Sequence, residues 1–122
     1  MKLIATIAVA FVALSHFGFM ALEMFFWDHE IGRNIFSMTA EESAITKTLA
    51  ANQGLYNGFL AAGLTWGLVT SRRDVVTFFL LCVIIAGVFG AATAKPTILF
   101  TQALPALIAL VLTFLARPKT LN

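Results

Sequence analysis

From Leu3 to Trp27 the chain runs for about 25 residues with a single charged side chain, Glu23. A stretch of that length and apolarity is what a helix needs to cross a bilayer, where roughly 20 residues suffice. It is too long for a secretory leader and has no clear small-x-small cleavage site, so it reads as a retained helix despite the basic start at Lys2. The rest of the chain follows suit. Over 122 residues, 60% are hydrophobic and 11% charged, against about 25% charged in an ordinary soluble domain. A chain this small cannot cover such a surface with polar groups in water. Lipid is the matching solvent.

Four segments have spanning length: Leu3–Trp27, Leu49–Val69, Val75–Thr93 and Ile98–Leu115. The expected fold is all-α, a four-transmembrane-helix bundle forming one domain over 1–122. Its helices are expected at about 3–27, 40–70, 75–94 and 98–116. Only the connection Asp28–Thr48 is long. In it, Thr39 followed three residues later by Glu42 reads as a capping box, which starts the second helix near Ala40, outside the membrane. Ile35–Met38 before it suits an interface. With four spans both termini lie on one side, together with Lys2, Arg72, Arg73, Arg117 and Lys119, five of the eight basic residues. The positive-inside rule places that side in the cytoplasm. A net charge of +2 and the absence of a basic stripe exclude nucleic acid as a partner. Cys82 is the one cysteine, so neither an intrachain disulfide nor a cysteine metal cluster can form. No pattern calls for a metal or a cofactor.

The polar residues inside the spans fall on one side. The stretch "ANQGLYNGFLAAG" (Ala51–Gly63) carries Asn52, Gln53, Tyr56 and Asn57 in the outer half of the second helix. Glu23 lies in the outer half of the first, Thr93 and Lys95 end the third, and Thr101 and Gln102 open the fourth. On the first helix His16, Met20, Glu23 and Trp27 share a face, with His16 and Glu23 two turns apart, roughly 10 Å along the axis. An ionisable group within a span is costly, about 2.5 kcal/mol or more for a central charge, so Glu23 is the leading site candidate. His16, Asn52, Gln53, Tyr56, Asn57 and Gln102 complete the expected ligand-binding set. The competing reading makes the amides interhelical glue, worth about 0.6 kcal/mol per bond. Gly54 and Gly58, Gly63 and Gly67, and Gly87 and Gly90 read as helix-packing positions. Pro105 interrupts the fourth helix and frees the Thr101 carbonyl.

Asn52-Gln-Gly-Leu-Tyr-Asn-Gly-Phe-Leu-Ala-Ala-Gly63, His16 with Glu23-Met24 and Trp27, Ala86–Ala91 with Thr93, and Gln102 with Pro105-Ala106 resemble the signature of a bacterial membrane family, domain of unknown function 1304. The resemblance runs in order along nearly the whole chain. It implies a small four-helix protein of the bacterial cytoplasmic membrane, and brings no catalytic assignment.

Three functions remain in competition. The preferred one is a bundle with an outer-leaflet polar pocket that binds or transports a small or lipid-like ligand, with Glu23 and His16 as proton or cation handles. The second is an intramembrane enzyme of isomerase or epimerase type, with Glu23 and His16 as acid and base; their axial offset admits only a long or tilted substrate. The third is a structural or partner subunit whose polar layer is interhelical glue, a role the glycine stripes fit best; membrane lipids and further copies of the chain are its expected partners. A cavity at Glu23 favours the first two; a solid, mutually satisfied polar core favours the third.

Overall fold

The computed structural model describes residues 1–116; Arg117 and Lys119, counted in the charge bias, lie outside the described residues. Within them every regular element is helical: α1 (Leu3–Phe25), α2 (Glu30–Phe36), α3 (Ala40–Val69), α4 (Arg73–Thr93), a π-helical turn (Leu99–Ala103) and α5 (Leu104–Leu115). Two helices, α1 and α4, are long and apolar enough to cross a membrane, and Leu99–Leu115 is a shorter apolar stretch. The chain divides into two compact units, one over Leu14–Ala61 and one built from Met1–Ala13 with the residues from Ala62 onward.

Two features depart from the sequence expectation. The long connection contains a helix, α2. His29 caps its start, its Nδ1 accepting from the Ile31 N–H at 3.1 Å, and Glu30 and Arg33 stand at the ends that favour their charges. Ser37 ends it in the left-handed region at φ 53°. The fourth segment is also not a plain kinked helix. Pro105 has no N–H and its ring crowds the carbonyl four residues back. The backbone responds with a widened turn just before it, in which the Leu104 N–H reaches the Leu99 carbonyl, five residues back.

In the Leu14–Ala61 unit, α1 and α3 meet across glycines. A Cβ on Gly54 would stand 2.7 Å from Met24 Cγ and 3.2 Å from the Met20 carbonyl oxygen, and one on Gly58 would stand 2.6 Å from Met20 Sδ. The capping box forms: the Glu42 N–H donates to Thr39 Oγ1 at 3.1 Å, and the Thr39 N–H donates to Glu42 Oε2 at 2.8 Å. The other unit has an aliphatic core that includes Ala5, Val9, Leu64, Leu80, Val83, Ala106 and Ala109. There Gly63 receives the Phe79 ring, Gly67 lies against Val76, and Gly90 lies against Ile98. Arg73 Nη2 donates to the Ala116 carbonyl at 2.7 Å and so closes the end of α5.

The side chains that face outward are mostly large and apolar. They include Leu3, Ile7, Phe11 and Leu14 on α1, Phe59 and Trp66 on α3, Phe78, Ile85 and Phe89 on α4, and Leu107, Val111 and Phe114 on α5. His16, Glu23, Ser43, Asn57 and Thr113 are buried. Hydroxyls turn back onto their own helices. Thr70, Thr93 and Thr113 each donate to the carbonyl four residues earlier, at 2.6, 2.7 and 2.8 Å.

Gly87 tests this packing against backbone rather than a flexible side chain, because a Cβ there would stand 2.8 Å from the Ala103 backbone nitrogen. Gly87→Ala is expected to destabilise by about 1–3 kcal/mol. Gly18 meets nothing within 4 Å, so Gly18→Ala is expected to be neutral or to gain up to about 1 kcal/mol from helix propensity. Thermal unfolding of the two variants in detergent separates them; equal midpoints would sink the packing argument.

Candidate functional site

The site is built from the facing sides of α1 and α3 within the Leu14–Ala61 unit. Met20 and Glu23 follow at helical spacing on α1, and Gln53 and Asn57 at i, i+4 on α3. Because Gly54 and Gly58 carry no side chains, the two backbones approach closely enough for these groups to meet. Glu23 is 6% exposed. Its Oε2 accepts from Asn57 Nδ2 at 3.0 Å, and its Oε1 accepts a longer bond from Gln53 Nε2 at 3.5 Å. Two amides thus hold one carboxyl, and among the described residues no cationic side chain pairs with it.

Beside the carboxyl lies a cavity of about 200 Å³, lined by Glu23, Trp27, Thr46, Leu49, Ala50 and Gln53. Its upper wall is fixed by a relay. Trp27 Nε1 donates to Thr46 Oγ1 at 2.9 Å, and the Thr46 hydroxyl donates to the Glu42 carbonyl at 2.7 Å. Phe36 packs on the indole with ring centroids 4.8 Å apart. Next in the chain, Asp28 Oδ1 accepts from the buried Ser43 hydroxyl at 2.8 Å and from Arg33 Nη1 at 3.1 Å. The Ser43 bond, helped by the charges of Arg33 and Lys47, holds the Asp28 carboxyl below its usual range.

The structure gathers part of the expected set. Glu23, Gln53 and Asn57 come together. His16 is buried at 1% exposure and meets the Phe19 ring edge-on, but it does not line the cavity. Asn52 points elsewhere, its Nδ2 donating to the Thr48 carbonyl at 2.9 Å. Tyr56 is 60% exposed and leans on Phe59. Gln102 lies in the π-helical turn of the other unit. The Thr101 hydroxyl makes only long bonds to its own helix, 3.4 and 3.5 Å. Trp27 and Thr46 were missed as lining residues. Trp27 carried a signal, since it follows Glu23 at i+4, although α1 itself ends at Phe25; Thr46 sits in the first turns of α3, where nothing in the sequence marks it.

Comparison with known proteins adds kinship and no chemistry. A family model described as "Protein of unknown function (DUF1304)" matches residues 10–114. A protein of Lactococcus lactis subsp. lactis (strain IL1403), described as "Uncharacterized protein YpaA", is 31% identical over 118 residues, covering 93% of this chain and 99% of the relative. No solved structure matches.

Two predictions follow from this geometry. Asn57→Leu leaves a buried carboxyl oxygen without its donor, so it is expected to cost about 1–3 kcal/mol. Gln53→Leu should cost less and Asn52→Leu close to nothing, since the latter loses only a bond to its own turn; unfolding midpoints in that order are the check. The second concerns acid. A depressed folded-state pKa means that Asp28 stabilises the α2 connection above the ordinary aspartate range, about 3.9, and loses that contribution as pH falls through its lower folded value. The amide-exchange protection of Glu30–Phe36, taken against the intrinsic rate at each pH, should therefore fall in acid, and Asp28→Asn should show low protection at neutral pH with a smaller further fall in acid.

Proposed function

We propose, for this chain, which belongs to the DUF1304 family of proteins of unknown function, the role of a small multi-pass membrane protein that binds a small polar ligand, or the polar end of a lipid-like one, beside Glu23. The observation that carries this reading is the cavity of about 200 Å³ against a carboxyl that is itself buried. Buried charge-bearing groups in a membrane helix mark functional sites more often than packing ones.

Membrane embedding is supported by the outward apolar faces, the two helices of spanning length and the inward-turned hydroxyls. In lipid, each polar group must find its partner within the protein. Under this reading α3 crosses with its amide-rich half in the outer leaflet, and its length of 30 residues, about 45 Å at 1.5 Å per residue, leaves the capped first turns in water. The fourth span is formed by the π-helical turn and α5. Both termini are cytoplasmic, in the inner membrane of a bacterium.

Acid–base catalysis is the weaker reading, because His16 does not line the cavity and so cannot share a small substrate there with Glu23. The scaffold reading draws on the amide clamp, which satisfies Glu23 from within the chain. Its glycines fit either role.

Topology reporters test the embedding. Fusions after Met1 and after Arg72 are expected to report cytoplasm, and insertions at Asn34 and at Pro96 the outside; any fusion giving the reverse sense would overturn the four-span arrangement. For the site, the purified protein should show a saturable Trp27 response to at least one small polar solute, and filling the cavity with Ala50→Phe should abolish it with the fold retained. If no solute gives a response, or if Ala50→Phe responds like the parent, the pocket reading fails and the scaffold stands.

A further inference from the structure

We propose that the ligand group received beside Glu23 is an ammonium: the cavity wall presents a carboxyl, an amide and an indole, and no cationic side chain. The inference rests on the pocket reading and adds the ligand's chemical class.

Four lining side chains are polar: Glu23, Trp27, Thr46 and Gln53. The Trp27 N–H is given to Thr46, the Thr46 hydroxyl to the Glu42 carbonyl, and one of the two Gln53 amide N–H groups to Glu23. Asn57, behind the carboxyl, spends its donor on Oε2. Against the one Gln53 N–H left over stand the remaining lone pairs of the Glu23 carboxyl and those of the Gln53 side-chain oxygen, so the spare capacity of these side chains is mostly acceptor. No Lys, Arg or His lines the wall, so an anionic group would meet a carboxylate with nothing to offset it. A group that donates several hydrogen bonds and carries positive charge meets the opposite situation. It supplies the counter-charge that the chain withholds from Glu23.

The remaining lining is consistent in shape. Leu49 and Ala50 give an apolar flank for methylene or methyl carbons, and Trp27 is the side chain whose ring best attracts an ammonium. Phe36 braces that indole from the α2 side. The volume, about 200 Å³, corresponds to roughly six or seven water molecules at about 30 Å³ each. It suits a small amine or the terminal group of an amine-bearing lipid, and is below the range of about 300–1,000 Å³ typical of drug-sized ligands.

The test uses the full chain with Trp66→Phe, which leaves Trp27 as its single tryptophan, in nanodiscs of phosphatidylglycerol. Trp27 fluorescence is titrated with ethylammonium chloride, with tetramethylammonium chloride, and with acetamide and sodium acetate as neutral and anionic probes. At least one ammonium salt is expected to give a saturable change, acetate none, and acetamide a markedly weaker one. Glu23→Gln preserves the side-chain shape and an amide oxygen, so it should stay folded by circular dichroism while ammonium affinity falls about tenfold or more. Replacing half the lipid with phosphatidylethanolamine identifies the source. Suppression of the free-amine response means that a lipid headgroup takes the site, and an unchanged response means a soluble amine; both support the ammonium assignment. Acetamide binding as tightly as the ammonium salts, or an ammonium response unchanged in folded Glu23→Gln, overturns the assignment and leaves a pocket of other specificity. No saturable response to any probe overturns the assignment and the pocket reading together.

Discussion

The bond from Asn57 to Glu23 at 3.0 Å organises the Leu14–Ala61 unit. A carboxyl group withdrawn from water must be given partners, or the chain bears several kcal/mol of lost solvation. The partners available here are amides on a neighbouring helix. They reach the carboxyl because Gly54 and Gly58 let the backbones approach, and because Met20 and Met24 are flexible enough to fill what the glycines leave open. The glycines and the amides therefore do one job. Without the close approach the amides would fall short, and without the amides the close approach would bury a carboxyl beside nothing.

The entry side of that unit is held in a different way. Trp27, Asp28, Ser43 and Thr46 tie the end of α1 to the first turns of α3 through short neutral and charged bonds, and Phe36 on α2 packs across the indole. The cavity sits between these two regimes, with an amide-clamped carboxyl on one side and a half-buried aromatic tie on the other.

The helical class was legible because long apolar runs leave little else to choose, and the capping box was legible because Thr39 and Glu42 are local. The partners of Glu23 were also nameable from composition, since the chain offers few amides within its apolar segments. What escaped was direction. Asn52 and Asn57 are both asparagines of one helix, yet one bonds its own turn and the other spans to α1; a rotation of about 100° per residue decides this, and it depends on where α3 meets α1. Helix α2 escaped because seven residues carry too short a period to read, and its cap is a histidine rather than one of the usual small polar residues.

The widened turn at Leu99–Ala103 has a consequence for phase. Ile98 lies against Gly90 and Ala103 against Gly87, so two residues five apart contact the same side of α4. In an ordinary α-helix, five residues turn through about 500°, some 140° past a full circle, and Ile98 and Ala103 would point in different directions. The surplus residue absorbs that mismatch. It resets the angular count, so that the small residues Ala103, Ala106 and Ala109 are buried in series and Ala103, not its polar neighbour Gln102, meets Gly87. Pro105 thus acts less as a hinge than as a gear tooth: it fixes which of two adjacent residues, one methyl-sized and one polar, is offered to the close contact.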